Sequence, residues 1–151
     1  MEEALKDRLS NMSNEELEEF NKKNCIFCKI VDNKVSAMPV YRDQNFLAIL
    51  DIKPGSKGHT LLFPREHKTV LPQISDETLG EMFIVMKKIS NAILKGMKAD
   101  GTNIYIANGA SAGQKCNHVL SHIIPRFNND KMYNLKLKRD KDNAKILEKL
   151  R

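Results

Sequence analysis

The sequence contains few of the features that define membrane, secreted and disulfide-rich proteins. Its 151 residues include only three cysteines, too few for a disulfide framework. No apolar run approaches the roughly 20 residues that a membrane span needs. The acidic start MEEALKDRL has no hydrophobic stretch, so we expect no secretory signal. We therefore expect no membrane partner and a cytoplasmic location, or a nuclear one as well, with thiols that bind metal or react.

Aromatic residues are scarce, and the sequence has no tryptophan. The net charge is +6, and the basic excess is concentrated in the last residues, from Lys136 to Arg151. Such a segment can attract nucleic acid, an acidic membrane surface or a phosphate-bearing ligand, or it can be a solvated charged helix. It lacks the interleaved aromatic residues of single-strand nucleic-acid platforms. Nucleic acid is therefore not the expected partner, although the basic C-terminus leaves it open.

The residues that are present predict one globular α+β domain. Apolar residues make up 41% of the chain and charged residues 29%. Ser13 to Glu16 is a capping box that begins a helix. Ser75-Asp76 begins a long helix with apolar residues at helical spacing, namely Leu79, Met82, Phe83, Met86, Ile89, Ile93 and Met97. Short runs with strand character occupy residues 40–41, 46–50, 59–63, 103–107 and 118–125. This order predicts a five-stranded antiparallel sheet with one long helix and extra helical segments at both termini.

Two histidines lie four residues apart in the last predicted strand. Because side chains alternate along a strand, His118, Leu120 and His122 share one face. A loop containing Gly109 and Gly113 precedes them, and exposed amides in such a loop can bind an anion. Imidazoles so placed can act on a phosphate as base, acid or nucleophile. They can equally be hydrogen-bonded strand histidines with no ligand.

Cys25 and Cys28 form a C-x-x-C pair. That spacing lets two thiolates bind one Zn²⁺, which needs two more nitrogen or sulfur ligands. A redox pair is the second interpretation, but no parallel βαβ unit follows it. Two inert core thiols are the third.

Several motifs together resemble one family. They are Cys25-Ile-Phe-Cys-Lys-Ile30, Leu50-Asp-Ile-Lys-Pro54, Gly58-His-Thr-Leu-Leu-Phe-Pro64, His67, Gly113-Gln114 and the segment from His118 to Arg126. In this order they are similar to the small branch of histidine-triad nucleotide-binding proteins. The resemblance covers residues 25–126, and it leaves a helical N-terminal extension, 1–24, and a basic C-terminal extension, 127–151.

The resemblance implies a homodimer, a purine nucleoside monophosphate or related ligand, and a covalent chemistry. In the family motif His-x-His-x-His, the middle histidine attacks the α-phosphorus and the outer two handle its phosphate and leaving group. Here His118 and His122 match the outer positions, and Leu120 stands at the middle one. Leucine has no lone pair, so the nucleophile is missing.

The resemblance also implies two sets of ligand-binding residues. Phe27, Ile30 and Leu61 match apolar positions around the base, and Asp51 matches the acidic residue that binds the ribose. The full expected nucleotide-binding set is Phe27, Ile30, Asp51, Ile52, Leu61, Asn108, Gly113, Gln114, Lys115 and His122. The expected ligands of a structural zinc ion are Cys25, Cys28, His67 and His118.

Three functions follow from these observations. The first is a nucleotide-binding protein with impaired catalysis, because the pocket is present and the nucleophile is absent. The second is an active nucleoside phosphoramidate or dinucleoside polyphosphate hydrolase, or nucleotidyl transferase, in which water attacks directly and His122 acts as acid or base. The third is a zinc-stabilised interaction module. Whether the chain is an enzyme depends on what replaces the chemistry of the missing histidine.

Overall fold

The fold is taken from a computed structural model that describes residues 7, 9–128 and 130–132. The basic residues from 133 to 151, and most of the predicted helical turn in residues 1–10, lie outside the described residues. Within the described part of the chain, no helix is long and apolar enough to cross a membrane.

A five-stranded antiparallel sheet forms the centre of the molecule. Its strands are β1 (Pro39–Arg42), β2 (Phe46–Leu50), β3 (Thr60–Pro64), β4 (Gly101–Ile106) and β5 (Ser121–Arg126). They lie in the order β1-β2-β3-β5-β4, and every neighbouring pair is antiparallel. The predicted α+β fold with a five-stranded antiparallel sheet is confirmed.

The described residues include the α-helices α1 (Asn14–Asn24), α2 (Ile26–Val31) and α3 (Asp76–Met97). The capping box before α1 forms as predicted, since the Glu16 amide donates to Ser13 Oγ and the Ser13 amide donates to the Glu16 carboxylate. The Ser75 hydroxyl caps α3 by accepting from the Thr78 amide. Helix α2, which contains the second cysteine of the C-x-x-C pair, is not predicted by the sequence pattern.

Helix α3 covers one face of the sheet. Met82, Val85, Met86, Ile89 and Ile93 of the helix pack on Phe46, Ala48, Leu62 and Ile123 of the strands. Phe83, which the apolar spacing assigned to the same stripe, is 56% exposed, and that part of the prediction is wrong. One residue step of 100° carries its side chain past the buried stripe.

Helix α2 packs on the opposite face of the sheet, which we call the α2 face. Its buried members are Cys25, Phe27, Cys28, Ile30, Leu47, Ile49, Leu61 and Phe63. Leu120 packs against this cluster, whereas Ser121 and Ile123 lie on the α3 side, with Ser121 Oγ 3.0 Å from Met86 Sδ. The alternation predicted for Leu120 and His122 therefore places both on the α2 face.

Strand β5 begins later than predicted, at Ser121 rather than at residue 118. The Val119 amide donates to the Lys68 carbonyl oxygen at 2.7 Å, outside the ladder with β3 and β4. His118 is thus held at the entrance to the strand, where it is fully buried and packs against the rings of Phe27 and Phe63.

Candidate functional site

Four sulfur and nitrogen ligand atoms meet between α2 and the sheet. Cys25, Cys28, His67 and His118 each offer one atom, and these atoms all lie within 4.8 Å of one another. Cys28 Sγ lies 3.1 Å from His67 Nδ1, and Cys25 Sγ lies 3.4 Å from His118 Nδ1. A tetrahedral zinc ion with Zn–S near 2.3 Å and Zn–N near 2.0–2.1 Å holds sulfur and nitrogen about 3.5 Å apart. The four residues therefore have both the chemistry and the spacing of a closed zinc site.

The surroundings of this cluster prepare its histidines to act as ligands. His118 Nε2 donates to the Pro64 carbonyl oxygen at 2.8 Å, which leaves the lone pair of Nδ1 directed at the two sulfurs. Burial lowers the pKa of His118 to about 4, so its imidazole is neutral near pH 7, as a ligand must be. Burial, then the neighbouring Cys25, raise the pKa of the Cys28 thiol to about 12. A cation between the two sulfurs would offset that repulsion.

A second polar cluster lies at the other end of the same face. His59 Nε2 lies 3.0 Å from His122 Nδ1, and Asp51 Oδ2 lies 3.4 Å from His59 Nδ1. His59 directly precedes β3, and β3 pairs with β5 so that Leu61 lies opposite His122. Burial is the main cause that lowers the pKa of both His59 and His122, so both imidazoles are neutral near pH 7.

Hydrogen bonds assign the proton positions in this second cluster. Two groups approach His59 Nδ1: the Gly55 amide donates to it at 3.2 Å, and Asp51 Oδ2 lies 3.4 Å away without hydrogen-bond geometry. The Gly55 bond is the shorter and better aligned of the two, so it assigns the proton of neutral His59 to Nε2. His59 Nε2 then donates to His122 Nδ1, and the proton of neutral His122 lies on its own Nε2. His122 consequently presents an N–H donor, rather than a lone pair, at the free end of its ring.

An aromatic ring covers one side of His122. Tyr105 of β4 is the direct cross-strand partner of His122, and the two rings stack with centroids 4.5 Å apart and planes 7° from parallel. Tyr105 is 47% exposed at the edge of the sheet. Its pKa is raised, first by burial and then by the Asp51 carboxylate, so the phenol is protonated.

A row of cross-strand partners connects His122 to a pocket at the far edge of the sheet. Ile49 of β2 pairs with Leu61 of β3, which pairs with His122 of β5. The pocket has a volume of about 290 Å³. It is lined by Ile30, Asn33, Val35, Ser36, Ala37, Pro39, Arg42, Leu47 and Ile49. The pocket and the polar cluster therefore lie along one row of side chains on the α2 face.

The loop before β5 is held together by two of the residues predicted to contact a nucleotide. Gln114 accepts from the Gly109 amide at 2.7 Å and donates to the Thr69 and Cys116 carbonyl oxygens. Asn108 Oδ1 accepts from the Leu71 amide at 2.9 Å. Gly113 ends a 3₁₀ turn with φ +87°, a conformation that favours glycine. The side-chain amides of Asn108 and Gln114 thus order this loop.

The other predicted nucleotide-binding residues are distributed over the α2 face and its rim. Phe27, Ile30 and Leu61 are buried in one apolar cluster. Asp51 lies beside His59, with its Oδ1 accepting from the Lys53 amide at 2.8 Å. Ile52 is 86% exposed, and Lys115 is also exposed. Their nucleotide contacts stay predictions.

Sequence reasoning missed two residues of the polar cluster, His59 and Tyr105. The sequence did contain a signal for His59, because side chains alternate along a strand and residues 59, 61 and 63 therefore share one face. Leu61 on that face was already predicted to contact the base. Tyr105 gave no such signal. Its stacking on His122 depends on the register between β4 and β5, which one strand's sequence does not reveal.

Comparison with known proteins identifies the family of this chain. The family model described as the HIT domain matches residues 32–129. The chain belongs to the HIT family. An uncharacterised HIT-like protein of Borreliella burgdorferi is 45% identical over 109 residues, which cover 71% of this chain and 78% of that protein. The adenosine 5′-monophosphoramidase of Schizosaccharomyces pombe is 37% identical over 107 residues, covering 71% and 77% of the two chains.

A solved HIT structure also resembles the chain. The zinc-bound histidine triad family protein from Mycobacterium smegmatis is 40% identical, with a TM-score of 0.70. The match covers 82% of this chain and 88% of that one. The predicted membership of the histidine-triad family is confirmed, and the assignment to its small nucleotide-binding branch stays a prediction.

Proposed function

We propose that this HIT protein binds a purine nucleoside monophosphate on its α2 face and does not attach it covalently. The row Ile49–Leu61–His122 carries the proposal, because it runs from the pocket that Ile30 and Ile49 line to a hydrogen-bond donor on the same face of the sheet. Neighbouring strands lie about 4.8 Å apart, so Ile49 and His122 are separated by about 10 Å. A mononucleotide lying across β2, β3 and β5 fits this layout, with its base beside Ile30 and Ile49 and its phosphate at His122.

The phosphate end of the site is suited to hold an anion. His122 presents its Nε2 proton, and His59 fixes that tautomer through the bond to Nδ1. A hydrogen bond from imidazole to a charged phosphate is stronger than one between neutral groups. The loop before β5 carries the exposed Lys115, and its ammonium would add a cation near the phosphate.

The expected covalent route lacks a nucleophile at the middle triad position. Leu120 packs into the apolar cluster of the α2 face, between buried His118 and His122. The neighbouring hydroxyl, Ser121, is fully buried on the opposite face and lies against Met86. Cys116, like Leu120, packs against the α2-face cluster, but it is not at the strand position of the missing histidine.

A second candidate function is hydrolysis by direct attack of water. The relative named adenosine 5′-monophosphoramidase supports a phosphoramidate substrate class for the fold. In this chain His122 presents a proton, so it would protonate the leaving amine rather than deprotonate water. Water would then attack without His122 as a general base. We therefore expect nucleotide binding with weak turnover rather than efficient hydrolysis.

The proposal also includes a structural zinc ion. Cys25, Cys28, His67 and His118 would hold it as a closed Cys₂His₂ set with no open position for substrate. The zinc-bound relative supports this assignment. The ion would join α2 to β5 and so fix the wall of the base pocket. Buried His118 would then serve the fold, while His122 serves the ligand.

The remaining expectations stay proposals of the same kind. They are a HIT-like unit of residues 25–126 with a helical extension before it and a basic one after it, a homodimer, and a cytoplasmic or nuclear location.

Calorimetric titration with AMP and with GMP tests the proposed function. We expect saturable binding of one nucleotide per chain and about tenfold weaker binding in a His122→Phe variant, which keeps a stacking ring but loses the donor. Phe83→Ser, a change at an exposed residue of α3 on the other side of the sheet, is the matched control. Absence of saturable binding by the unaltered protein would refute the proposal.

A further inference from the structure

Tyr105, which stacks on His122, is not part of the motifs that identify the family in this sequence. The two residues are direct cross-strand partners between β4 and β5, with ring centroids 4.5 Å apart and planes 7° from parallel. Tyrosine at the edge of a sheet needs no such partner to be stable. Tyr105 nevertheless stacks in parallel on His122, the histidine that we propose binds phosphate, and this contact needs a functional explanation.

Two contacts together determine the orientation of the His122 ring. The bond from His59 Nε2 to His122 Nδ1, 3.0 Å long, fixes one edge of the imidazole. By itself, one hydrogen bond lets the ring rock about the line joining the two nitrogens. The Tyr105 ring lies flat against one side of the imidazole and opposes that rocking. With both contacts in place, the direction of Nε2 is determined.

We propose that Tyr105 is a positioning residue for His122, whose ring holds the imidazole so that the Nε2 proton points at the bound phosphate. The inference rests on the proposed function, because it takes His122 to be the phosphate donor. It assigns the effect to the aromatic ring of Tyr105 and not to its hydroxyl. Tyr105 itself touches neither phosphate nor reacting atoms in this account.

The stack also affects the charge state of His122. The groups that face His122 are His59, the Asp51 carboxylate beyond it, and the Tyr105 ring. Burial and His59 lower the pKa of His122, whereas Asp51 raises it. The face of an aromatic ring attracts a cation, so the Tyr105 ring favours imidazolium and opposes the effect of burial. Removal of the ring should lower the pKa of His122, which a purely structural role would not require.

Nitrogen-15 NMR of the histidine rings tests the proposal on the full-length protein. Three variants are compared with the unaltered chain: Tyr105→Leu, Tyr105→Phe and Ile104→Val. Ile104 lies on the same strand but pairs with Ile123, on the α3 side, so its variant is the matched control. We expect Tyr105→Leu to lower the pKa of His122 by about half a unit. Tyr105→Phe and Ile104→Val should leave it within about 0.2 units.

Affinity for AMP, measured by calorimetry on the same variants, provides the second readout. We expect about fivefold weaker binding for Tyr105→Leu and less than about twofold change for Tyr105→Phe. An unchanged His122 pKa together with unchanged affinity in Tyr105→Leu would overturn the inference. A Tyr105→Phe variant as impaired as Tyr105→Leu would overturn it too, because the hydroxyl would then be responsible. If the unaltered protein binds no nucleotide, the proposed function fails, and the NMR data still decide whether Tyr105 controls His122.

Discussion

Replacing Leu120 with histidine should restore the nucleophile that the site lacks. Leu120 is half-buried against the α2-face cluster. Full burial of a leucine contributes about 1.5–3 kcal/mol, so a half-buried one contributes about 1 kcal/mol. Loss of that amount from a total of about 5–15 kcal/mol leaves the protein folded. We expect the melting temperature to fall by about 4 °C, which thermal denaturation followed by circular dichroism would measure.

The gain in chemistry should be larger than this loss in stability. An imidazole at position 120 would share the α2 face with His122 and attack the phosphorus of the bound phosphoramidate. The P–N bond would break, the amine would leave with a proton from His122, and water would then hydrolyse the adenylyl-histidine. We expect hydrolysis of adenosine 5′-phosphoramidate to increase by about 100-fold or more, because residues of such a unit act together. Phosphorus-31 NMR would follow the rate, and intact-mass spectrometry would detect an adenylyl group on the Leu120→His protein.

A matched variant separates nucleophilicity from polarity. Leu120→Gln has a similar size and a polar side chain but forms no phosphoramidate with the nucleotide, so its rate should stay at that of the unaltered protein. Turnover by the unaltered protein equal to that of Leu120→His would refute the reasoning. So would an adenylyl adduct on the unaltered chain.

Three further predictions test the supporting structure. Purified protein should contain about one zinc ion per chain by elemental analysis. A Cys28→Ser variant should lose the zinc ion and have a lower melting temperature, whereas the control variant Cys116→Ser should keep the ion. Gly58→Ala should destabilise by about 1–2 kcal/mol in urea unfolding, because φ is +87°. The atoms nearest to the new Cβ belong to the flexible end of the Met97 side chain, which can rotate away. Gly80→Ala in the open surface of α3 should stabilise by about 0.5–1 kcal/mol. Because burial lowers the pKa of His59 and His122, their contribution to stability is full above about pH 6.5 and is lost as the pH falls through the lowered values. The urea midpoint should thus decrease from pH 7.5 to 5, and a His122→Phe variant should show a smaller decrease than the unaltered protein.

Strands β2 and β3 were predictable because each is a short, nearly continuous apolar run bounded by turn residues. Strand β2 matches its predicted bounds, 46–50, and β3 differs by one residue at each end. Both strands have apolar residues on two covered faces and turn residues around them. The start of β5 was not predictable, because the bond from the Val119 amide to Lys68 depends on a distant loop.

The zinc ligands and the polar cluster differ in what local sequence reveals. The C-x-x-C spacing indicates two of the four ligands, but only the fold brings His67 and His118 to the same sulfurs. The tautomer of His122 depends on the Gly55 amide, four residues from His59 in a turn that the sequence shows only as Pro-Gly. Residue spacing predicts which side chains share a face, and tertiary contacts decide which atoms carry the protons.

A crystal structure of the protein with AMP is the most direct test of the central claim. The account predicts that the phosphate accepts from His122 Nε2, that the base lies beside Ile30 and Ile49, and that the Leu120 side chain faces the phosphorus with no covalent bond. A nucleotide bound elsewhere, or one attached covalently to the unaltered chain, would contradict it.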